Sequence, residues 1–208
     1  DRVDYYSNRP YEQFTSQGDG LAKGLDVMIK KSDRNINGWI SYSIGEVQYS
    51  IDGVNLGKPF HPAHDIRHKI NILGNYTFNT KYEISLGWSF HTGAPVELPD
   101  GFFEFEGLPV IFYDENNRYK YRKRAYHRAD VSFSITPEKN KQRKWKSKWE
   151  FSVYNFYGRK NPLYYDYLDT GTYRYSPVLR GGLPEYSYDP KIFYLFYITP
   201  SVTYKFRF

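Results

Sequence analysis

The sequence holds no cysteine and a single methionine. The first absence removes disulfides, thiolate nucleophiles and cysteine metal sites together. No stretch approaches the roughly 20 consecutive apolar residues that a bilayer-crossing helix needs. Mean hydropathy is −0.73 and 25% of residues are charged. These values rule out helical membrane spans but not a transmembrane β-barrel, in which half of each strand faces water and the loops are polar. The chain opens on Asp1 rather than an initiator Met, without a basic segment leading into an apolar run. It reads as a mature chain or as a piece of a longer one. No nucleophile elbow, phosphate loop or paired acidic motif occurs, so no catalytic residue and no cofactor are expected. A formal charge of +6 is too modest to indicate nucleic acid as a partner.

Aromatic residues are abundant, with 23 Tyr and 15 Phe among 208 residues. Tyr is at home at membrane interfaces, and it also lines carbohydrate-binding grooves, because its ring is apolar at one end and hydrogen-bonding at the other. Many of these rings fall in period-two runs, the spacing that lines one face of a strand. The longest ends the chain: Ile192, Tyr194, Phe196, Ile198, Pro200, Val202, Tyr204, Phe206 and Phe208 alternate with polar residues in its last half. Six further segments alternate, at about Leu21–Lys30, Ile36–Gln48, His68–Phe78, Tyr82–His91, Arg128–Ile135 and Trp149–Tyr154. In the cleanest, Ile70, Ile72, Gly74, Tyr76 and Phe78 oppose Lys69, Asn71, Asn75 and Thr77.

The spacers alternate in length. Short connections around Asp33, Thr80 and the basic stretch Glu138 to Lys148 alternate with long excursions at about 50–66, 93–126 and 158–189. Long loops on one side and short turns on the other is the pattern of an outer-membrane barrel, with turns and C-terminus periplasmic and long loops outside. The expected fold class is all-β: an antiparallel transmembrane β-barrel, incomplete alone because an odd strand number leaves raw edges in hydrocarbon. The missing strands are expected in another chain or upstream in a parent sequence. A soluble carbohydrate-binding β-sandwich is the rival architecture.

Several segments then resemble one family. They are Gly18-Asp19-Gly20-Leu21-Ala22-Lys23-Gly24-Leu25-Asp26-Val27, Asn37-Gly38-Trp39-Ile40-Ser41-Tyr42-Ser43, and Phe60-His61-Pro62-Ala63-His64-Asp65-Ile66-Arg67-His68-Lys69-Ile70. To these add Ala125-Tyr126-His127-Arg128-Ala129-Asp130-Val131, Val153 to Pro162, and Pro200-Ser201-Val202-Thr203-Tyr204-Lys205-Phe206. In this order they resemble the barrel of TonB-dependent outer-membrane receptors, most strongly those of the Bacteroidota. The resemblance implies the last seven strands of a barrel of about 22 around a plug. Residues 1–19 would be an extracellular loop segment and 20–208 the C-terminal part of the barrel, with the plug domain absent from this chain. The implied partners are outer-membrane lipid, the N-terminal remainder of the barrel with its plug, TonB through that remainder, and a surface lipoprotein or other outer-membrane subunits. The implied function is uptake of a scarce nutrient, such as a siderophore, glycan or peptide. A structural barrel subunit of a larger outer-membrane complex keeps the fold and changes the task.

Tyrosines and arginines in the long loops are the binding candidates: Tyr113, Tyr119, Tyr121, Arg122, Arg159, Tyr164, Tyr165, Tyr167, Tyr173, Arg174, Tyr175 and Tyr186. Rings and guanidinium groups together hold anionic chelates, peptides or sugars by stacking and bidentate hydrogen bonds. The same rings could instead pack the loops upon themselves. His61, His64, Asp65 and His68 crowd one segment with metal-ligand chemistry. They cross a loop-to-strand junction, where i, i+4 spacing has no helical meaning, and no metal is expected. The resemblance implies that Tyr204, Phe206 and Phe208 form an assembly signal, read through the exposed edge of the last strand.

Overall fold

The computed structural model describes residues 16–105, 108–114, 116–138, 145–166, 173–175, 184–186 and 191–208. The chain begins with β1 (Gly18–Ser32), β2 (Ile36–Ile51), β3 (His68–Thr77) and β4 (Tyr82–His91). The next loop holds β5 (Pro95–Val96), β6 (Gly101–Phe105), β7 (Leu108–Phe112) and β8 (Tyr121–Arg122). Two long strands follow, β9 (Tyr126–Ile135) and β10 (Lys146–Tyr154). Short pieces β11 (Tyr164–Asp166), β12 (Tyr173–Tyr175), β13 (Pro184–Tyr186) and β14 (Lys191–Phe193) precede β15 (Thr199–Arg207).

The seven long strands make one antiparallel sheet in the order β1-β2-β3-β4-β9-β10-β15, a meander in which each strand pairs with the next long one. The sheet is open: β1 and β15 are its edges. The expected strands are all present, with shifted ends. β1 starts at Gly18, so Gly18 and Asp19 belong to the sheet rather than to the loop assigned to residues 1–19. Short local bonds close the turns. Asn79 Oδ1 accepts the N–H groups of Lys81 and Tyr82 (2.8 and 3.0 Å), an Asx turn that reverses the chain. Of the basic turn, residues 139–144 lie outside the described residues.

The terminal run is not the single strand that its alternation predicts. Its first part, Lys191–Phe193, pairs with β11, residues 194–198 are not strand, and only Thr199–Arg207 joins the sheet. The ladder with β10 ends at Tyr154 opposite Thr199. Beyond it Asn155 turns the chain at φ 54°, so the residues before Thr199 do not continue the ladder with β10. Nor are the long excursions free of regular structure: β5 pairs with β8, β6 with β7, β11 with β14 and β12 with β13.

Residues opposite one another in a ladder share a face. One row runs Asn37, Asn75, Ser85, Ser132, Ser152 and Ser201, and the next runs Ile36, Tyr76, Ile84, Phe133, Phe151 and Val202. Ile72, Trp88 and Ala129 form a third, and Tyr82, Ile135, Trp149 and Tyr204 a fourth. The apolar rows therefore collect on one face and the Asn and Ser residues on the other, as the alternation predicts. Salt bridges dress the polar face, Lys148 to Glu83 (2.8 Å) and Lys205 to Glu150 (2.6 Å).

The apolar face is uncovered: Leu86 is 45% exposed, Phe151 43% and Val202 61%. Apart from prolines, Phe60 and Ala129 are the buried hydrophobic side chains among the described residues. A sandwich needs a second sheet about 10 Å away over that face. The remaining ladders here are two-stranded pieces.

Candidate functional site

The chain divides into two compact units. One comprises Asp1–Gly24, Gly45–Ile66 and Ala94–Arg122, and the other Leu25–Ile44, Arg67–Gly93 and Lys123–Phe208.

In the first unit the centre is Asp65, which is fully buried. Its carboxylate accepts the Val47 N–H (2.7 Å) and the Arg122 guanidinium, and Arg122 also donates to the Asp65 carbonyl (3.2 Å). His61 Nδ1 donates to the Val47 carbonyl (2.8 Å) and lies 3.8 Å from Asp65. A buried carboxylate must be paired or it becomes costly. Arg122, one of the binding candidates, is engaged by Asp65. Tyr119 likewise stacks on Phe60 (5.8 Å, 8°), whose ring meets Tyr49 edge-on. Asn55, buried and at φ 51°, clasps the backbone of Arg118 from both sides: Oδ1 accepts its N–H (2.6 Å) and Nδ2 donates to its carbonyl (3.3 Å). Arg118 then grips Glu97 with two hydrogen bonds (2.6 and 3.0 Å). A cleft of about 600 Å³ is bordered by Gly53, Val54, Glu97, Phe112, Arg118 and the binding candidate Tyr113. Tyr121 is exposed, with Lys120 5.1 Å from its ring centre.

Lys120 also binds Asp100, whose other oxygen accepts the Asp114 N–H (2.8 Å). The Lys120 hydrogen bond first, and the Asp114 N–H second, hold the Asp100 carboxyl below the usual carboxylate range. The same contact raises the Lys120 ammonium.

In the second unit the hub is Asn155, 1% exposed. Its N–H donates to Asp130 Oδ1 (2.9 Å), its Oδ1 accepts the Arg159 N–H (3.0 Å), and its Nδ2 donates to the Arg159 carbonyl (2.9 Å). Asp130 is held in turn by Arg128 (2.8 Å), whose guanidinium lies over the Tyr154 ring at 4.1 Å. Asn161 imitates a strand, exchanging both hydrogen bonds with the His127 backbone (3.1 and 2.9 Å). A cleft of about 250 Å³ opens beside Tyr126, Arg128, Tyr154 and Asn155. Of the binding candidates, Arg159 donates to the Ala125 carbonyl (3.4 Å), while its buried Nε meets no acceptor among the described residues. Tyr164 stacks on Phe193 (4.6 Å, 4°), and the Tyr165 hydroxyl accepts the Arg124 N–H (3.1 Å). Tyr173, Arg174, Tyr175 and Tyr186 lie in the paired strands β12 and β13. Tyr167 lies outside the described residues.

The aromatic end of β15 forms a chain of rings: Trp149 to Tyr204 (4.6 Å), Tyr204 to Phe206 (6.1 Å) and Phe206 to Phe208 (5.4 Å). Phe208 is 94% exposed. The crowded histidines find separate partners, His64 with the Tyr49 hydroxyl (3.3 Å) and His68 with Tyr42 (2.9 Å). No cluster with metal-ligand geometry occurs among the described residues.

Asn55, Asn155 and Asn161 are the organising residues that reading for rings and charges passes over. For Asn55 and Asn155 the one local signal is Asn with Gly close behind, in Asn55-Leu56-Gly57 and Asn155-Phe156-Tyr157-Gly158, where Asn55, Gly57, Asn155 and Gly158 all take positive φ. Asn and Gly tolerate that conformation best.

No family model, curated protein or solved structure matches this chain.

Proposed function

We propose that this chain is part of the barrel wall of a TonB-dependent outer-membrane receptor, working in uptake of a scarce nutrient. One observation carries the reading: a seven-stranded meander exposes an apolar face, while the buried side chains among the described residues include the loop residues Asp65, Asn55 and Asn155. In water that face would need a cover, since exposed apolar patches larger than a few hundred Å² are rare on soluble monomers. Hydrocarbon would solvate it without one. In this reading the open edges β1 and β15 pair with the remainder of the parent barrel, because unpaired backbone groups in lipid cost several kcal/mol each. The polar face lines the lumen towards the plug, and the side-chain-clasped loops stand outside the cell.

The absence of cysteine makes the test direct. Ser85→Cys and Leu86→Cys are neighbours on opposite faces of β4. With the protein in the outer membrane, a water-soluble maleimide is expected to label Ser85→Cys and to spare Leu86→Cys, with a lipid-phase quencher reporting the reverse. Equal labelling of both positions would overturn the proposal.

A further inference from the structure

A cleft of about 460 Å³ opens where the end of β9, the start of β10 and the end of β15 meet the turn between β3 and β4. Four cations line it, Lys146 and Lys148 from β10 and Lys205 and Arg207 from β15. In the ladder Lys146 stands opposite Arg207, and Lys148 opposite Lys205. Residues so placed share a face with Cβ atoms roughly 5 Å apart, and like charges there destabilise the pair. The inner pair is answered by carboxylates, since Lys148 binds Glu83 and Lys205 binds Glu150. At the outer pair Glu138 borders the cleft. From there the chain adds more positive charge, because residues 139–148 hold six cations and neither Asp nor Glu.

The rest of the lining suits an anion with several oxygen acceptors. Thr80 and Thr136 bring hydroxyl-bearing side chains, and the Thr136 N–H donates to the Lys81 carbonyl (2.7 Å), which ties the two turns together. A guanidinium offers a planar fork of donors that fits phosphate at two points, and a lysine adds a compact charge. A phosphate group, with up to two negative charges and three acceptor oxygens, matches one Lys and one Arg flanked by hydroxyls. Alternation puts the four cations on the face of Ser152 and Ser201, opposite Phe151 and Val202. The ligand therefore arrives from water and not across the apolar face.

We propose that this cleft binds a dissolved phosphorylated anion, its phosphate group held between Lys146 and Arg207. The cleft belongs wholly to one compact unit, and the inference does not rest on the uptake reading.

The experiment is isothermal titration calorimetry of the whole purified protein with inorganic pyrophosphate as the probe. Lys146→Gln combined with Arg207→Gln is expected to weaken binding at least about tenfold. Arg207→Lys, which keeps the charge and loses the fork, should fall between. Glu138→Gln should tighten binding by removing a carboxylate from the border, and Lys58→Gln, in the other unit, should leave it unchanged. Lys146 and Arg207 are exposed, so their replacement tests binding and not folding. No saturable binding, an unchanged double variant, or an equal loss in Lys58→Gln would each overturn the proposal. Hexaglutamate binding as tightly as pyrophosphate would overturn it in favour of an acidic peptide. Displacement of pyrophosphate by phosphatidylglycerol vesicles at equal phosphate concentration would overturn the dissolved source in favour of a lipid headgroup.

Discussion

The long sheet and the loops are stabilised in opposite ways. In the sheet, backbone ladders hold the strands and large apolar side chains stay exposed, as at Leu86 and Phe151. In the loops, single polar side chains replace the ladder. Asn55, Asp65, Asn155 and Asn161 satisfy backbone groups of distant segments, Asn155 through the Phe196 carbonyl (3.3 Å), and three of them are buried. The difference teaches that burial follows what each region lacks. A ladder already satisfies the backbone, so its side chains answer to the surrounding medium. An irregular loop must recruit side chains for its backbone groups, and those become the buried ones.

The sharpest way to break that comparison is a charge on the apolar face. Leu86→Arg is expected to cost about 2 to 4 kcal/mol if the site lies near the bilayer midplane, while Ser85→Arg on the opposite face costs far less. Reversible unfolding in lipid vesicles would measure both, and similar small costs would mean that the apolar face is wet. Next comes Asn155→Ala. It unpairs part-buried backbone groups at Arg159 and places a less tolerant residue at positive φ, for an expected loss of about 1 to 3 kcal/mol and faster amide exchange at Arg159. Unchanged exchange would show that the clasp contributes nothing.

A weaker effect is expected at Asp100. Its carboxyl is held low by Lys120, so its contribution is complete above the ordinary carboxylate pKa of about 4 and lost as pH falls through the depressed value. The protection of the Asp114 amide, whose N–H it accepts, measured as its exchange rate relative to the intrinsic rate at each pH, should therefore be high at neutral pH and fall in acid below that range. Asp100→Asn should flatten this profile, and a wild-type profile with no acid limb would refute the coupling. The smallest stability change belongs to Phe208→Ser, within about 0.5 kcal/mol, because the ring is exposed and touches little beyond Phe206. If the terminal aromatics are an assembly signal, the amount of heat-modifiable protein in the outer membrane should fall nonetheless. Equal amounts in both strains would leave Phe208 an ordinary rim residue.

What the sequence by itself determined is the sheet. Period-two alternation is a local property, since successive side chains point to opposite faces whatever the partner strand is. That is why Ile70 to Tyr76 and Tyr82 to Phe90 could be assigned to a strand and a face from spacing alone. The tertiary structure decided where alternation stops meaning strand, as over residues 194–198, because a ladder requires a partner that Asn155 turns away. It also decided which loop residues are already engaged. The binding candidates Arg122 and Tyr119 are engaged by Asp65 and Phe60, more than fifty residues earlier. Pairings over that separation leave no period in the sequence, because they are set by how the chain closes its loops and not by any neighbouring residue.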